Sequence, residues 1–417
     1  MTLTLSADER AIASGERGEG AAMAMRIVAD SARLLGATRL IPIASAHIDG
    51  ALYHGDSGTL FAEKLVDGGA KVSVRATLNV GALDLMGCSR VLLEEPQRTM
   101  ARRMMDAYRT LGCEQSWTCA PYQAGHRPAQ GADVAWGESN AVVFCNSVLG
   151  ARTNRYGDFL DIACAIAGRA PDYGLHRSEN RLATLVFDVS ALPAAFLESA
   201  FAWPILGSLY GREVGTAIGV VTGVSRHPGE DALKAFGAAA ASSGAVGLFH
   251  IAGVTPEAPT AETALGGIPP ETMIHVTPAM VADARKRLST VRPSETIDAV
   301  AIGSPHLSLA EFDELERLIA GRKLTVPIHA CTGRHVIAQL SERRKALETS
   351  GVVIVADTCV VVTPILPTLL GGVLMTNSGK FAHYAPGNTG YGVIYASLAD
   401  CVESAVTGRT VLSDMPT

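Results

Sequence analysis

Between Trp117 and Arg155 the chain gathers a thiol (Cys119), a carboxylate (Glu138), the amides of Asn140, Asn146 and Asn154, and the guanidinium groups of Arg152 and Arg155. Exposed helix surfaces favour Lys, Glu and Ala. A stretch of glycine, amide, thiol and guanidinium groups reads instead as the lining of a small-molecule site. Each type brings its own chemistry. A thiolate ligates a soft metal. An arginine takes a carboxylate or phosphate through paired hydrogen bonds, although surface ion pairs are its plainer use. Ser139 precedes the apolar run Ala141–Val148 and reads equally as a helix N-cap and as an anion contact at that helix start.

Further polar segments lie far away in sequence. His47 sits in Ser45–Gly50, after a short apolar stretch, and reads equally as a satisfied structural histidine and as a functional one; the same holds for His306 in Gly303-Ser304-Pro305-His306. His329-Ala330-Cys331-Thr332, Asp357-Thr358-Cys359 and Ser378-Gly379-Lys380 follow. Cys119 and Cys359 are the leading metal-ligand candidates, because both occupy polar, proline-flanked loops. Cys331 is intermediate. Cys88, Cys113, Cys145, Cys164 and Cys401 lie in apolar or helical contexts and read as small buried hydrophobes. No C-x-x-C pair occurs, which argues against a zinc ribbon, a thioredoxin motif or a ferredoxin-type cluster. Ser378-Gly379-Lys380 offers backbone N–H groups and an ammonium to an anion, without the glycine spacing of a Walker motif. No nucleophile elbow, H-E-x-x-H or dinucleotide fingerprint is present.

The elements that position these groups follow from pattern. At 417 residues, 48% hydrophobic and 18% charged, the chain has ample core for two or three domains or one multilayered unit. Its composition is that of an α/β enzyme. With a net charge of -6 and no basic run, nucleic acid is excluded as a partner. The start MTLTLSADER lacks the features of a secretory signal, and the longest apolar run, Val352–Met375, is broken by Asp357, Pro364 and Pro367. No membrane span and a cytoplasmic location are therefore expected. Ser6 and Glu9 form a capping box for a first helix, interrupted at Gly15–Gly20. Arg39–Ala46 reads as one strand. From Pro278 onward helices and strands alternate, including a strand at Ala299–Ile302 and a helix at Gly333–Ser350, which is a parallel-sheet signature. If these strands are neighbours, the loops at Gly303–His306, His329–Thr332 and Asp357–Cys359 open on one edge. Subdomains are expected at 1–225 and 226–417, with a surface loop at 255–270.

Taken in order, Gly15–Gly20, Ser45–Gly50, Thr118–Tyr122, Trp136–Arg155, Gly168–Asn180, Gly303–His306, Asp357–Pro364 and Thr376–His383 resemble the aconitase X family, specifically its large or catalytic component. The resemblance implies aconitase-like α/β/α layers with mostly parallel sheets around a central cleft, lacking the swivel domain. It implies an iron–sulfur hydro-lyase that dehydrates cis-3-hydroxy-L-proline or mevalonate 5-phosphate, with a cluster of 2Fe-2S, 3Fe-4S or 4Fe-4S type held by three cysteines. Carried over, Cys119 and Cys359 are cluster ligands. The third falls where many members have Gly-Cys-Pro-His and this chain has Ser304, with Cys331 as the alternative. Arg152, Arg155, Ser378 and Lys380 would anchor the substrate anion. His47, Glu138, Asn140 and Asn146 would order the hydroxyl, the cluster surroundings or the amine, and Ser139 and Asn146 would also bind the substrate. Single-chain members add a swivelling domain on the order of 100–150 residues. This chain ends at Thr417, so a separate small subunit carrying the base is expected. A cluster-free protein that binds a small acid without catalysing is the rival from another class.

Overall fold

The structure, a computed structural model, describes residues 2–293, 296–369 and 371–413; residues 414–417, Thr417 among them, lie outside the described residues. Contacts divide the chain into two units, Met1–Leu83 with Leu93–Leu182, and Asp84–Leu92 with Ala183–Thr417. The sequence places a boundary at 225/226. The break falls earlier because the strand Leu185–Asp188 pairs in parallel with Gly219–Thr222 and Thr272–His275 and so belongs to the second unit.

In the first unit, α1 (Ala7–Ala13) opens with the expected box: Ser6 Oγ accepts the Glu9 N–H, and the Glu9 carboxylate accepts that of Ser6. There follow α2 (Glu19–Leu34), β1 (Leu40–Pro42), β2 (Ser45–Ile48), α3 (Asp56–Asp67), β3 (Arg75–Leu78), α4 (Glu95–Thr110), β4 (Ala135–Trp136), α5 (Ser139–Ser147), α6 (Leu160–Ala167) and β5 (Arg169–Pro171). The single strand expected over Arg39–Ala46 is two. β1 pairs antiparallel with β5, whereas β2 is the centre of a parallel sheet ordered β3-β2-β4. Pro42 lacks a backbone donor and ends β1. All four residues of β2 are buried.

The second unit begins with β6 (Leu185–Asp188), α7 (Ala194–Glu198), α8 (Ala202–Val214), β7 (Gly219–Thr222), α9 (Glu230–Gly244), β8 (His250–Ile251), α10 (Ala261–Ala264), β9 (Thr272–His275) and α11 (Pro278–Arg287). Its four strands form a parallel sheet ordered β8-β7-β6-β9. The expected loop at 255–270 carries the short α10. The chain continues through β10 (Ala299–Leu307), α12 (Leu309–Ile319), β11 (Ile328–Thr332), α13 (Arg334–Leu340), α14 (Glu342–Ser350), β12 (Val352–Ala356), β13 (Val373–Thr376), α15 (Gly379–Thr389), β14 (Gly392–Tyr395) and α16 (Leu398–Thr407). One helix expected over Gly333–Ser350 is two, broken at Ser341, whose φ is 48°.

These last strands form a parallel sheet ordered β12-β11-β10-β13-β14. The chain runs outward from β10 to β12, then returns to β10's other flank at β13. Parallel sheets bind ligands beyond the strand carboxyl ends at such a reversal. Val300, Ile302, Ile328, Ile354, Met375 and Ile394 fill the core against Phe312, Leu315 and Val402, each contributing about 1.5–3 kcal/mol by leaving water. Among the described residues no helix is long and apolar enough to cross a membrane.

Candidate functional site: a thiol pair and a buried polar sheet edge

At the carboxyl end of β10 the expected loop Gly303–His306 is part of the strand, with a register shift between Ile302 and Leu307. Gly303 has φ 87°, and a Cβ there would lie 2.2 Å from the Cys331 carbonyl oxygen. Only glycine lets β10 run so close to β11. This brings Ser304 to Cys331, which lies in β11 where a loop was expected at His329–Thr332, and to Cys359, which follows β12. The Cys359 sulfur receives hydrogen bonds from the Cys331 side chain, the Val361 N–H and the Ser304 hydroxyl. Cys331 is 2% exposed, Cys359 5% and Ser304 6%. The Cys331 contact, opposed by burial and assisted by Val361, Lys380 and Ser304, holds the Cys359 thiol below its ordinary range. Burial above all pushes Cys113, Cys145 and Cys401 well up, helped by Asp161 at Cys113 and Asp400 at Cys401 and opposed by Arg181 at Cys145, as suits packed hydrophobes.

The neighbouring turns are tied to this pair. Asp357, fully buried with φ 60°, reverses the chain after β12. It accepts Nε and Nη2 of Arg334 at 2.6 and 2.8 Å, while burial still raises its pKa. Ser378 caps α15 by accepting the Phe381 N–H at 3.0 Å, and its hydroxyl donates to the Ser304 carbonyl. Burial lowers the His306 pKa to about 3, so its neutral ring donates Nε2–H to the Thr358 carbonyl at 3.2 Å. Ser304, Cys331, Cys359, Ser378 and Lys380 therefore meet in one unit. Among the described residues no three His, Cys, Asp or Glu side chains converge as metal ligands. The donor set of this unit is two thiols and a hydroxyl, and thiolates are what an iron–sulfur group requires. A purely packed pair would give no reason for a hydroxyl and a backbone N–H to converge on one sulfur.

The first unit holds a second polar group. Asp49, just beyond β2, accepts from Asn79 Nδ2. Asp161 accepts the N–H groups of Asp49, Gly50 and Ile162 at 2.6, 3.3 and 2.6 Å. A Cβ at Gly137 would sit 2.6 Å from Asp161 Oδ2, so glycine is needed beside the two carboxyls. Burial, then Glu138, Asp158 and Asp161, pushes Asp49 up to about 8; burial pushes Asp161 to about 7 despite its N–H donors. A carboxyl whose folded pKa is raised keeps its proton while the unfolded chain loses it, so stability falls as pH rises from about 4 towards 8. Asp49→Asn is expected to recover about 1–2 kcal/mol at pH 9 relative to pH 5, discounted for the water Asp49 still touches. Urea unfolding at the two pH values checks this; a variant that tracks the wild type at both would contradict it.

The remaining sequence candidates of this unit have definite positions. Glu138, and not Ser139, caps α5, accepting the Ala141 N–H at 2.6 Å; Ser139 donates to Glu138 at 3.3 Å. The carboxylate wins because its reach spans the first turn. Asn140 donates to the Cys119 carbonyl at 2.9 Å and supports that loop, with its Oδ1 buried and unbonded among the described residues. Asn146 closes the turn to Thr153, and the buried Arg181 grips it. Arg152 donates to the His176 carbonyl and Ser178, while Arg155 is exposed. His47 is fully buried and bonds Thr77 at 2.8 Å. Sequence reasoning missed Thr77, His126, Asp161 and Arg181. A charged residue inside the apolar run Leu160–Ala167 was a signal for Asp161.

Comparison with known proteins agrees with this architecture. The sequence models of the aconitase X first, second and third domains match residues 2–179, 183–286 and 297–407. A cis-3-hydroxy-L-proline dehydratase of Pseudomonas aeruginosa is 43% identical over 97% of this chain and 70% of its own length. One of Hypocrea jecorina is 39% identical over 98% and 69%. A phosphomevalonate dehydratase large subunit of Methanothermobacter thermautotrophicus is 36% identical over 94% and 96%. The crystal structure of Thermococcus kodakaraensis aconitase X in its holo-form superposes with a TM-score of 0.86 at 33% identity, covering 97% of this chain and 100% of that one.

Proposed function

The chain belongs to the aconitase X family, and we propose that it is the catalytic component of an iron–sulfur hydro-lyase that dehydrates cis-3-hydroxy-L-proline. The carrying observation is the buried pair Cys331 and Cys359, hydrogen-bonded side by side with Ser304 at the sheet's carboxyl edge. These residues would hold the cluster, and the sequence resemblance names Cys119 as a ligand as well. When bound, the cluster supplies the Lewis acidity that turns hydroxide into an adequate leaving group. The chain's own residues do the rest. Gly303 and Ser378 fix Ser304 against the thiols. Lys380, in the first turn of α15, offers an ammonium to the substrate carboxylate beside a helix N-terminus; Arg155 is the guanidinium of the first unit assigned the same charge type. Fixed donors of this kind stabilise the charge that builds on the carboxylate as the Cα proton leaves. Loss of water gives an enamine that tautomerises to Δ1-pyrroline-2-carboxylate.

Higher identity to the hydroxyproline enzymes supports that substrate. Mevalonate 5-phosphate is the second reading, favoured by how fully the chain spans the phosphomevalonate large subunits. We assign the proton-accepting base to a separate small chain, as the name large subunit implies for those relatives. The anaerobically purified protein is expected to be brown, with a broad band near ~400 nm and iron in proportion to chain. A colourless, iron-free protein after reconstitution would remove the catalytic reading in favour of a small-acid-binding one.

A further inference from the structure

His47 and Thr77 are direct partners in the parallel pairing of β2 with β3, and His47 faces Trp136 on the other side, in β4. Ser45, two residues before His47, shares its face of the strand. These side chains form one continuous chain. His47 Nδ1 lies 2.8 Å from Thr77 Oγ1, Thr77 Oγ1 lies 2.7 Å from His126 Nδ1, and His126 Nε2 lies 2.8 Å from Ser45 Oγ. Its inner end, His47 Nε2, is buried without a hydrogen-bond partner among the described residues. Exposure rises along it, from 0% at His47 through 2% at Thr77 and His126 to 6% at Ser45. The Trp136 indole flanks both imidazoles, with ring centroids 5.5 and 5.0 Å away.

Counting protons constrains this chain. Thr77 carries one hydroxyl proton and contacts two imidazole nitrogens. If it accepts from both, its own buried O–H has no acceptor, which costs about 1–3 kcal/mol. It therefore donates to one histidine and accepts from the other. Burial lowers both imidazoles, His47 well below its usual value and His126 to about 4, so both are neutral near pH 7. Two arrangements remain. In one, His47 holds its proton on Nδ1, His126 on Nε2, and His47 Nε2 is a base. In the other, Ser45 donates to His126, His126 to Thr77 and Thr77 to His47, and His47 Nε2–H is an acid.

We propose that Ser45, His126, Thr77 and His47 are a neutral proton relay that passes a solvent proton to a departing group of a ligand at His47 Nε2. As that group leaves with its electron pair, His47 Nε2–H gives it the proton. His47 Nδ1 takes the Thr77 proton, Thr77 that of His126 Nδ1, His126 Nε2 that of Ser45, and Ser45 one from solvent. No relay residue ends charged, which the dry surroundings require. The inference rests on the hydro-lyase reading for its substrate, and not for its wiring.

Two measurements separate the wiring from the reading. Long-range nitrogen–proton NMR of the histidine-labelled protein, assigned with His47→Gln and His126→Gln, should find opposite Nδ1 protonation in His47 and His126 at pH 7; the same tautomer in both overturns the relay. Thr77→Val should lower kcat by at least ~10²-fold with KM within ~3-fold, and Thr77→Ser should restore it. A Thr77→Val enzyme with kcat within ~3-fold of wild type overturns the relay while leaving the hydro-lyase reading intact. A wild type that turns over neither hydroxy acid refutes that reading instead, and the tautomer pairing then decides the relay alone.

Discussion

Cys359→Ala or Cys331→Ala is expected to lower iron per chain at least ~10-fold, since even residues outside the ligand shell cost 10–100-fold in affinity when removed. The two side chains are hydrogen-bonded, with Ser304 and the Val361 N–H also on Cys359, so either truncation removes one of the pair's two thiols. Cys119→Ala should act alike, on the strength of the resemblance. The controls lie in the same protein. Cys164 and Cys401 are fully buried in helices of apolar context, and their alanine variants should keep iron, with stability lowered by the lost packing. Ser304→Ala removes one hydroxyl contact and should weaken retention less than either cysteine variant. Iron analysis with the visible spectrum reads all of these. Full iron in Cys331→Ala would return Cys331 to the packed hydrophobes.

The other large expected effect is dependence on a second chain. The hydroxyproline relatives are matched over 70% and 69% of their length, the Methanothermobacter thermautotrophicus large subunit over 96%. If the proton-accepting group comes from a separate small chain, its addition should raise turnover by about 10²–10⁴-fold, the usual worth of a positioned general base. Undiminished turnover by this polypeptide alone would place the base among its own residues.

Local chemistry was legible in the sequence. The Ser6–Glu9 box needs residues three apart, and the helix–strand alternation after Pro278 is written in its periodicity. The three polar strand ends share a sheet edge as the alternation implied, because β10, β11 and β12 are adjacent. What depended on register was not legible. Cys331 meets Cys359 because β11 and β12 run in parallel register, Cys331 opposite Val355. Thr77 faces His47 for the same reason in another sheet. Polar density also misled in one respect: the run from Trp117 to Arg155 spends Glu138 on a helix cap, Asn146 on a turn, and the Nη groups of Arg152 on the segment at His176 and Ser178. A residue able to bind substrate is equally able to satisfy the backbone.

The most direct test of the account is turnover by the iron-loaded chain, mixed with its small partner, of cis-3-hydroxy-L-proline and of mevalonate 5-phosphate in parallel. Formation of Δ1-pyrroline-2-carboxylate from the first, with no product from the second, is the predicted result. Dehydration of mevalonate 5-phosphate with hydroxyproline untouched would contradict it.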